Sequence, residues 1–119
     1  MMVQSFRDLI VWQRGIEVTV AVYQLTRDFP RDEMYGLTSQ MRRSAVSVPS
    51  NIAEGHGRLH AREFRQFLAI ARGSNFELQT QLEIAKALEF GNSSLILEAE
   101  RLSHEVGKMI FGLLESIQE

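Results

Sequence analysis

The chain contains no cysteine in 119 residues. This excludes a disulfide scaffold, thiolate metal sites, a cysteine nucleophile and thioether-attached haem. Proline occurs twice and lysine twice, against eleven arginines. No apolar run approaches the ~18 residues of a membrane-spanning helix. The N-terminal stretch MMVQSFRDLIVWQRG has neither the basic start nor the small-residue cleavage site of a secretory signal. These absences predict one cytoplasmic domain over residues 1–119, with no membrane segment. Hydrophobic residues make up 45% and charged residues 24%, which is ordinary globular usage and argues against disorder.

Strand signals are missing too, since no segment alternates apolar and polar residues over about 4–8 positions between turns. What is present is helical periodicity in four segments, at about Arg7–Asp28, Ser39–Glu54, Ala61–Glu89 and Ser94–Ile117. Ser5 and Asp8 mark the first start, Thr38 is the expected cap of the second segment, and Asn92 or Ser93 that of the fourth. Pro30, the run Gly55-His56-Gly57 and Gly91 separate the segments. Short links make neighbours antiparallel. The predicted fold is all-α, an antiparallel up-down four-helix bundle.

Core faces follow from about 100° of turn per residue. The second segment offers Leu37, Met41, Ala45, Val48 and Ile52. The third offers Phe64, Phe67, Leu68, Ala71, Leu78, Leu82 and Ala85, and the fourth Leu95, Ala99, Leu102, Val106, Met109, Leu113 and Ile117. The first segment carries two stripes. Leu9, Trp12, Ile16, Val20 and Tyr23 form one, and Val11, Val18, Val22 and Leu25 form another on the opposite side. One stripe suffices for a core, and a second apolar patch marks an interface. The prediction is a homo-oligomer whose subunit contact uses Val11, Val18, Val22 and Leu25, with Phe76 and Ile84 of the third segment. Pro49 lies inside the second segment and frees the carbonyl of Ala45. Asn75 is the expected donor to carbonyls loosened there.

Charge is uneven. Residues 1–37 carry −1, residues 38–72 carry +4 and residues 73–119 carry −5, for a net −2. All positive charge of the middle segment is arginine: Arg42, Arg43, Arg58, Arg62, Arg65 and Arg72. Arginine suits planar, bidentate contact with phosphate or carboxylate. These six are the candidate nucleic-acid contacts. Alternatively, they pair with the acidic last third, within the chain or between subunits.

No catalytic set accompanies them. A di-iron bundle needs Glu-x-x-His, and the residues three before each histidine are Ala53, Gly57 and Arg101. His56 and His60 flank a two-glycine turn beside Arg58 and Arg62, which favours a solvated turn over a metal site. There is no phosphate-binding loop and no nucleophile elbow. The chain is therefore read as a non-enzyme with no cofactor and no metal.

The run Tyr35-Gly36-Leu37-Thr38-Ser39-Gln40-Met41-Arg42-Arg43-Ser44-Ala45-Val46-Ser47-Val48-Pro49-Ser50-Asn51-Ile52-Ala53-Glu54-Gly55 closely resembles the signature of the 23S rRNA intervening-sequence proteins. So do Phe6-Arg7-Asp8-Leu9 through Trp12, Ala71-Arg72-Gly73-Ser74 with Glu77–Leu82, and Val106–Leu113. The resemblance covers about residues 5–117. It implies a long four-helix bundle assembled into a pentameric ring. Some members are encoded inside inserts of bacterial 23S rRNA genes. Others are accessory proteins of diversity-generating retroelements, in which a basic ring engages a reverse transcriptase and RNA. The implied role is accessory RNA or ribonucleoprotein binding through an arginine-rich face. The alternative is a protein-binding scaffold without nucleic-acid contact.

Overall fold

The computed structural model describes residues 5–117. The ends of the expected domain, residues 1–4 and 118–119, lie outside the described residues, as does the start of the stretch read for a secretory signal. Four α-helices account for most of the chain: α1 (Ile10–Thr26), α2 (Leu37–His56), α3 (Ala61–Ala87) and α4 (Ser93–Ser116). The Ser5 signal is real but opens a 3-10 turn, Phe6–Asp8, where Ser5 Oγ accepts from the Arg7 N–H at 3.1 Å. Leu9 is extended, so α1 starts after it. Thr38 does not cap α2. It is buried inside the helix, and the Glu33 carboxylate accepts from the Leu37 N–H at 3.0 Å instead. Asn92 caps α4 by accepting from the N–H groups of Ser94 and Leu95 at 2.8 and 3.2 Å. At the end of α3, Gly91 adopts φ +79°, and a Cβ there would lie 2.8 Å from Leu25 Cδ1. Backbone handedness and close packing both require glycine at that position.

Contacts between neighbouring helices run in opposite directions. Thr19 meets Ala45 and Thr26 meets Arg42 across α1 and α2. Asn75 meets Ser103 and Lys86 meets Glu100 across α3 and α4. The α2–α3 contact is the most intimate. A Cβ on Gly55 would sit 2.6 Å from Phe67 Cβ, so that turn of α2 lies directly against α3. The molecule measures 44 × 23 × 21 Å.

The core contains every expected residue of α2, and Leu68, Ala71, Leu78, Leu82 and Ala85 of α3. Phe64 and Phe67 are half-buried at its edge, beside Gly55. On α4 the face is rotated by about one residue. Ile96 and Ile110 are buried with Ala99, Leu102 and Val106, while Leu95, Met109, Leu113 and Ile117 pack at the margin.

On α1 the two stripes exchange roles. Val11, Val18, Val22 and Leu25, expected at a subunit contact, are core residues of their own chain, and Val18, Val22 and Leu25 are fully buried. Ile16, Val20 and Tyr23 of the other stripe are exposed. The reason lies in small residues. Val11, Gly15, Val18, Val22, Leu25 and Phe29 are all buried and recur at alternating spacings of four and three. That is the seam of a helix packed between two neighbours. Gly15 interrupts the seam as hydropathy, yet it creates it as packing, because a Cβ there would lie 3.2 Å from Pro49 Cβ. Phe76 and Ile84 are exposed as expected.

Pro49 removes the donor for the Ala45 carbonyl. Asn75 does not supply a replacement, because it bonds to α4. The Thr19 hydroxyl does, lying 3.0 Å from Ala45 O and 2.9 Å from Gly15 O. Thr19→Val keeps the shape and removes that donor. It is expected to cost about 1 kcal/mol, read as a lowered urea midpoint at unchanged m-value. Among the described residues no helix is long and apolar enough to cross a membrane.

Candidate nucleic-acid interface

The six arginines do not form one face. From Arg42 to His56 the rise along α2 is roughly 21 Å, and Arg58 follows just beyond the helix end, so Arg42 and Arg58 lie near opposite ends of the bundle. Arg58 is occupied locally, 2.8 Å from Glu54 and 4.0 Å from Glu63, with its guanidinium over the Phe67 ring. Arg65 reaches α4 and donates to the carbonyls of Leu114 and of Ile117, the latter at 3.2 Å. It thereby satisfies carbonyls at a helix C-terminus, where a cation is favoured. Arg62 is exposed near the start of α3, in the first turn after His60. Arg72 lies over the Phe76 ring and lines an α3–α4 groove with His104, Lys108 and Phe111.

Arg42 and Arg43 are brought together. They line a shallow groove of about 740 Å³ between α1 and α2, with Tyr23, Tyr35, Ser39 and Ser50 among the other walls. Arg42 is held by two contacts. Its Nε donates to Thr26 Oγ1 at 2.9 Å, and its guanidinium sits 4.6 Å from the Tyr23 ring centre. Among the described residues, no Asp or Glu lines this groove. Glu77 lines the adjoining α2–α3 groove, which Tyr35 and Arg43 also border.

The acidic last third has other partners. Glu105 pairs with Arg14 of α1 at 2.6 Å and with Arg101 at 3.5 Å, Glu100 with Lys86 at 2.5 Å, and Glu98 with Arg101 at 2.7 Å. The Glu98 carboxyl is held below the usual carboxylate range chiefly by its bond from Arg101. The Lys86 ammonium is held above its usual range chiefly by its bond to Glu100. Among the described residues, none of these three glutamates forms an ion pair with the arginines of residues 38–72. Pairing of that arginine cluster with the acidic third inside one chain is thus not what the structure shows for Glu98, Glu100 and Glu105.

Neither tyrosine was a candidate contact in the sequence, where Tyr23 belongs to an apolar stripe and Tyr35 only opens the signature run. Tyr23 sits on a different helix, and Tyr35 belongs to the link before α2. Only folding puts both beside Arg42 and Arg43. The remaining candidates stay apart. His56 ends α2 and packs edge-on against Phe64, whereas His60 precedes α3. Among the described residues, no group of three His, Asp or Glu side chains is placed to hold a metal ion.

The fold is shared with a crystal structure of a protein of unknown function from the S23 ribosomal protein family, from Bacteroides thetaiotaomicron. The two chains are 20% identical and superpose with a TM-score of 0.82, over 90% of this chain and 96% of the other. No curated protein matches in sequence. The family model described as "23S rRNA-intervening sequence protein" matches residues 7–112. With that match over most of its length, the chain belongs to the 23S rRNA-intervening sequence protein family.

Proposed function

We propose that the chain is a non-enzymatic accessory protein that binds RNA, alone or within a ribonucleoprotein, and acts as a homo-oligomer. One observation carries the RNA reading. Among the described residues, Arg42 and Arg43 share an open groove with no carboxylate on its walls, while Glu98, Glu100 and Glu105 of α4 are engaged elsewhere. A guanidinium pair in a groove without a lining carboxylate suits phosphate. Arg62 and Arg72 are secondary contacts in this reading, whereas Arg58 and Arg65 serve the fold.

The self-association reading rests on apolar surface. Ile16, Val20 and Tyr23 are exposed on α1, and Phe76, Ile84 and Phe111 are exposed on the α3–α4 side. Two unlike patches on one protomer suit head-to-tail contacts, which close into rings when the rotation permits. A pentamer is the ring that the family resemblance implies.

The test is fluorescence anisotropy of a structured rRNA fragment against the purified oligomer, from about 50 to 200 mM salt. Saturable binding that weakens steeply with salt is expected. Arg42→Gln with Arg43→Gln should lower the affinity more than Arg58→Gln does. Absence of binding at the lowest salt would leave the scaffold reading, with protein partners only.

A further inference from the structure

Resting on the RNA-binding reading above, we infer that the α1–α2 groove takes an unpaired stretch of RNA, with Tyr35 stacking on a base and Arg42 and Arg43 holding the flanking phosphates.

Tyr35 is 97% exposed. Among the described residues its ring has no aromatic or cation–π partner. It stands beside Arg43 at the boundary of two grooves, so one face of the ring is open to a planar ligand. Base–aromatic stacking is tolerant of sequence because every base has a π-face. Duplex RNA does not offer that face, as its bases are stacked on each other, whereas loops and single strands do.

Arg42 is prepared for the phosphate. Its Nε is anchored on Thr26 and its plane rests on Tyr23, which leaves the two terminal nitrogens for a ligand. Part of the ordering cost of a long side chain is therefore met before binding. Among the described residues, the walls carry the hydroxyls of Ser39 and Ser50 and no carboxylate, which complements a polyanion with polar base edges. An acidic peptide would use the arginines and leave the Tyr35 face unused. A second copy of the chain would be expected to cover Ile16 and Val20, which are exposed on α1 and do not line this groove, so that it would meet the groove only at its Tyr23 edge.

The experiment uses the full chain in its native oligomeric state and a labelled twelve-nucleotide oligouridylate, with an RNA duplex of equal length as comparison. Affinity is read by anisotropy at several salt concentrations, and assembly by sedimentation. Tyr35→Leu is expected to weaken single-strand binding about tenfold, within the range of one lost stacking contact. Tyr35→Phe should stay within about twofold of the parent, because stacking survives loss of the hydroxyl. Arg43→Gln should reduce the salt slope by about 0.7, as one lost single-strand phosphate contact does. Equal affinity of Tyr35→Leu and the parent overturns the inference, and so does duplex bound as tightly as single strand. A sedimentation change in Tyr35→Leu overturns it too, since the groove is then a subunit contact. If the parent binds structured rRNA yet Tyr35→Leu binds oligouridylate unchanged, only this inference fails. If the parent binds no RNA at all, the RNA-binding reading fails with it.

Discussion

Val22→Asp is expected to abolish the fold, and Val20→Asp, two residues away, to preserve it. Val22 is fully buried in the seam of α1, whereas Val20 is 50% exposed on the opposite stripe. An aspartate at position 22 has no cation to meet. It must either be buried as an unpaired charge or be neutralised by a shifted pKa, and each is costly. The loss should exceed about 4 kcal/mol, the range reserved for an unpartnered buried charge or a similarly severe defect. Much of the stability of a domain this size would go. At position 20 the same change is a surface substitution worth about 0.5 kcal/mol or less, since valine and aspartate differ little in helix propensity. Far-ultraviolet circular dichroism should show an unfolded chain for the first variant and a helical one for the second. Sedimentation of Val20→Asp then reports on assembly. A fall in mass at intact helicity would place a subunit contact on the exposed stripe of α1. An unchanged mass would direct attention to Phe76, Ile84 and Phe111. If Val22→Asp folds normally, the assignment of the two stripes given above is wrong.

Asn75→Ala should lower stability by about 2–3 kcal/mol. Asn75 is 1% exposed, in the middle of α3. Its Nδ2 donates to the Ser103 carbonyl at 2.9 Å, and its Oδ1 accepts from the Ser103 hydroxyl at 2.8 Å. Gln79 donates to the same hydroxyl at 3.1 Å. Gly107, one turn further along α4, makes the room, since a Cβ there would lie 3.3 Å from Asn75 Nδ2. Truncation leaves the buried Ser103 hydroxyl without its acceptor and opens a void, and both effects are destabilising. In contrast, pairing Asn75→Leu with Ser103→Ala removes both polar partners and fills the space. The double variant should lose less than the two single losses combined, because neither side chain is left to orphan the other and only the half-buried Gln79 amide loses its acceptor. Thermal unfolding of the parent, Asn75→Leu, Ser103→Ala and the double variant measures this, and Asn75→Ala by itself is expected to lower Tm by about 10 °C. Additive losses would show that the Asn75–Ser103 pair holds the α3–α4 contact no more tightly than ordinary packing does.

The helices and most of the core were legible in the sequence because they depend on local chemistry. Periodicity placed α2, α3 and α4, Gly91 and Asn92 marked the boundary between the last two, and Pro30 marked the end of the first segment. Every expected core residue of α2 is buried, since a helix with one apolar face has one way to bury it. The signature from Tyr35 to Gly55 carried the family, and the match over residues 7–112 bears it out.

Two things depended on neighbours far away in the chain. The first is which stripe of α1 turns inward. Both are apolar, so the choice rests on how closely α2 can approach, and Gly15 against Pro49 settles it. Hydropathy gives glycine no weight there, although its missing side chain is what permits the contact. The second is the grouping of the arginines. Composition makes residues 38–72 one basic island, yet helix geometry sends Arg58 to Glu54 and Arg65 to the end of α4, leaving Arg42 and Arg43 in a groove with Tyr23 and Tyr35. Local patterns encode which elements form, because caps and periodicity act within a few residues. The groove is made of side chains from α1, α2 and the link between them, and its charge and aromatic character exist only once those pieces are packed.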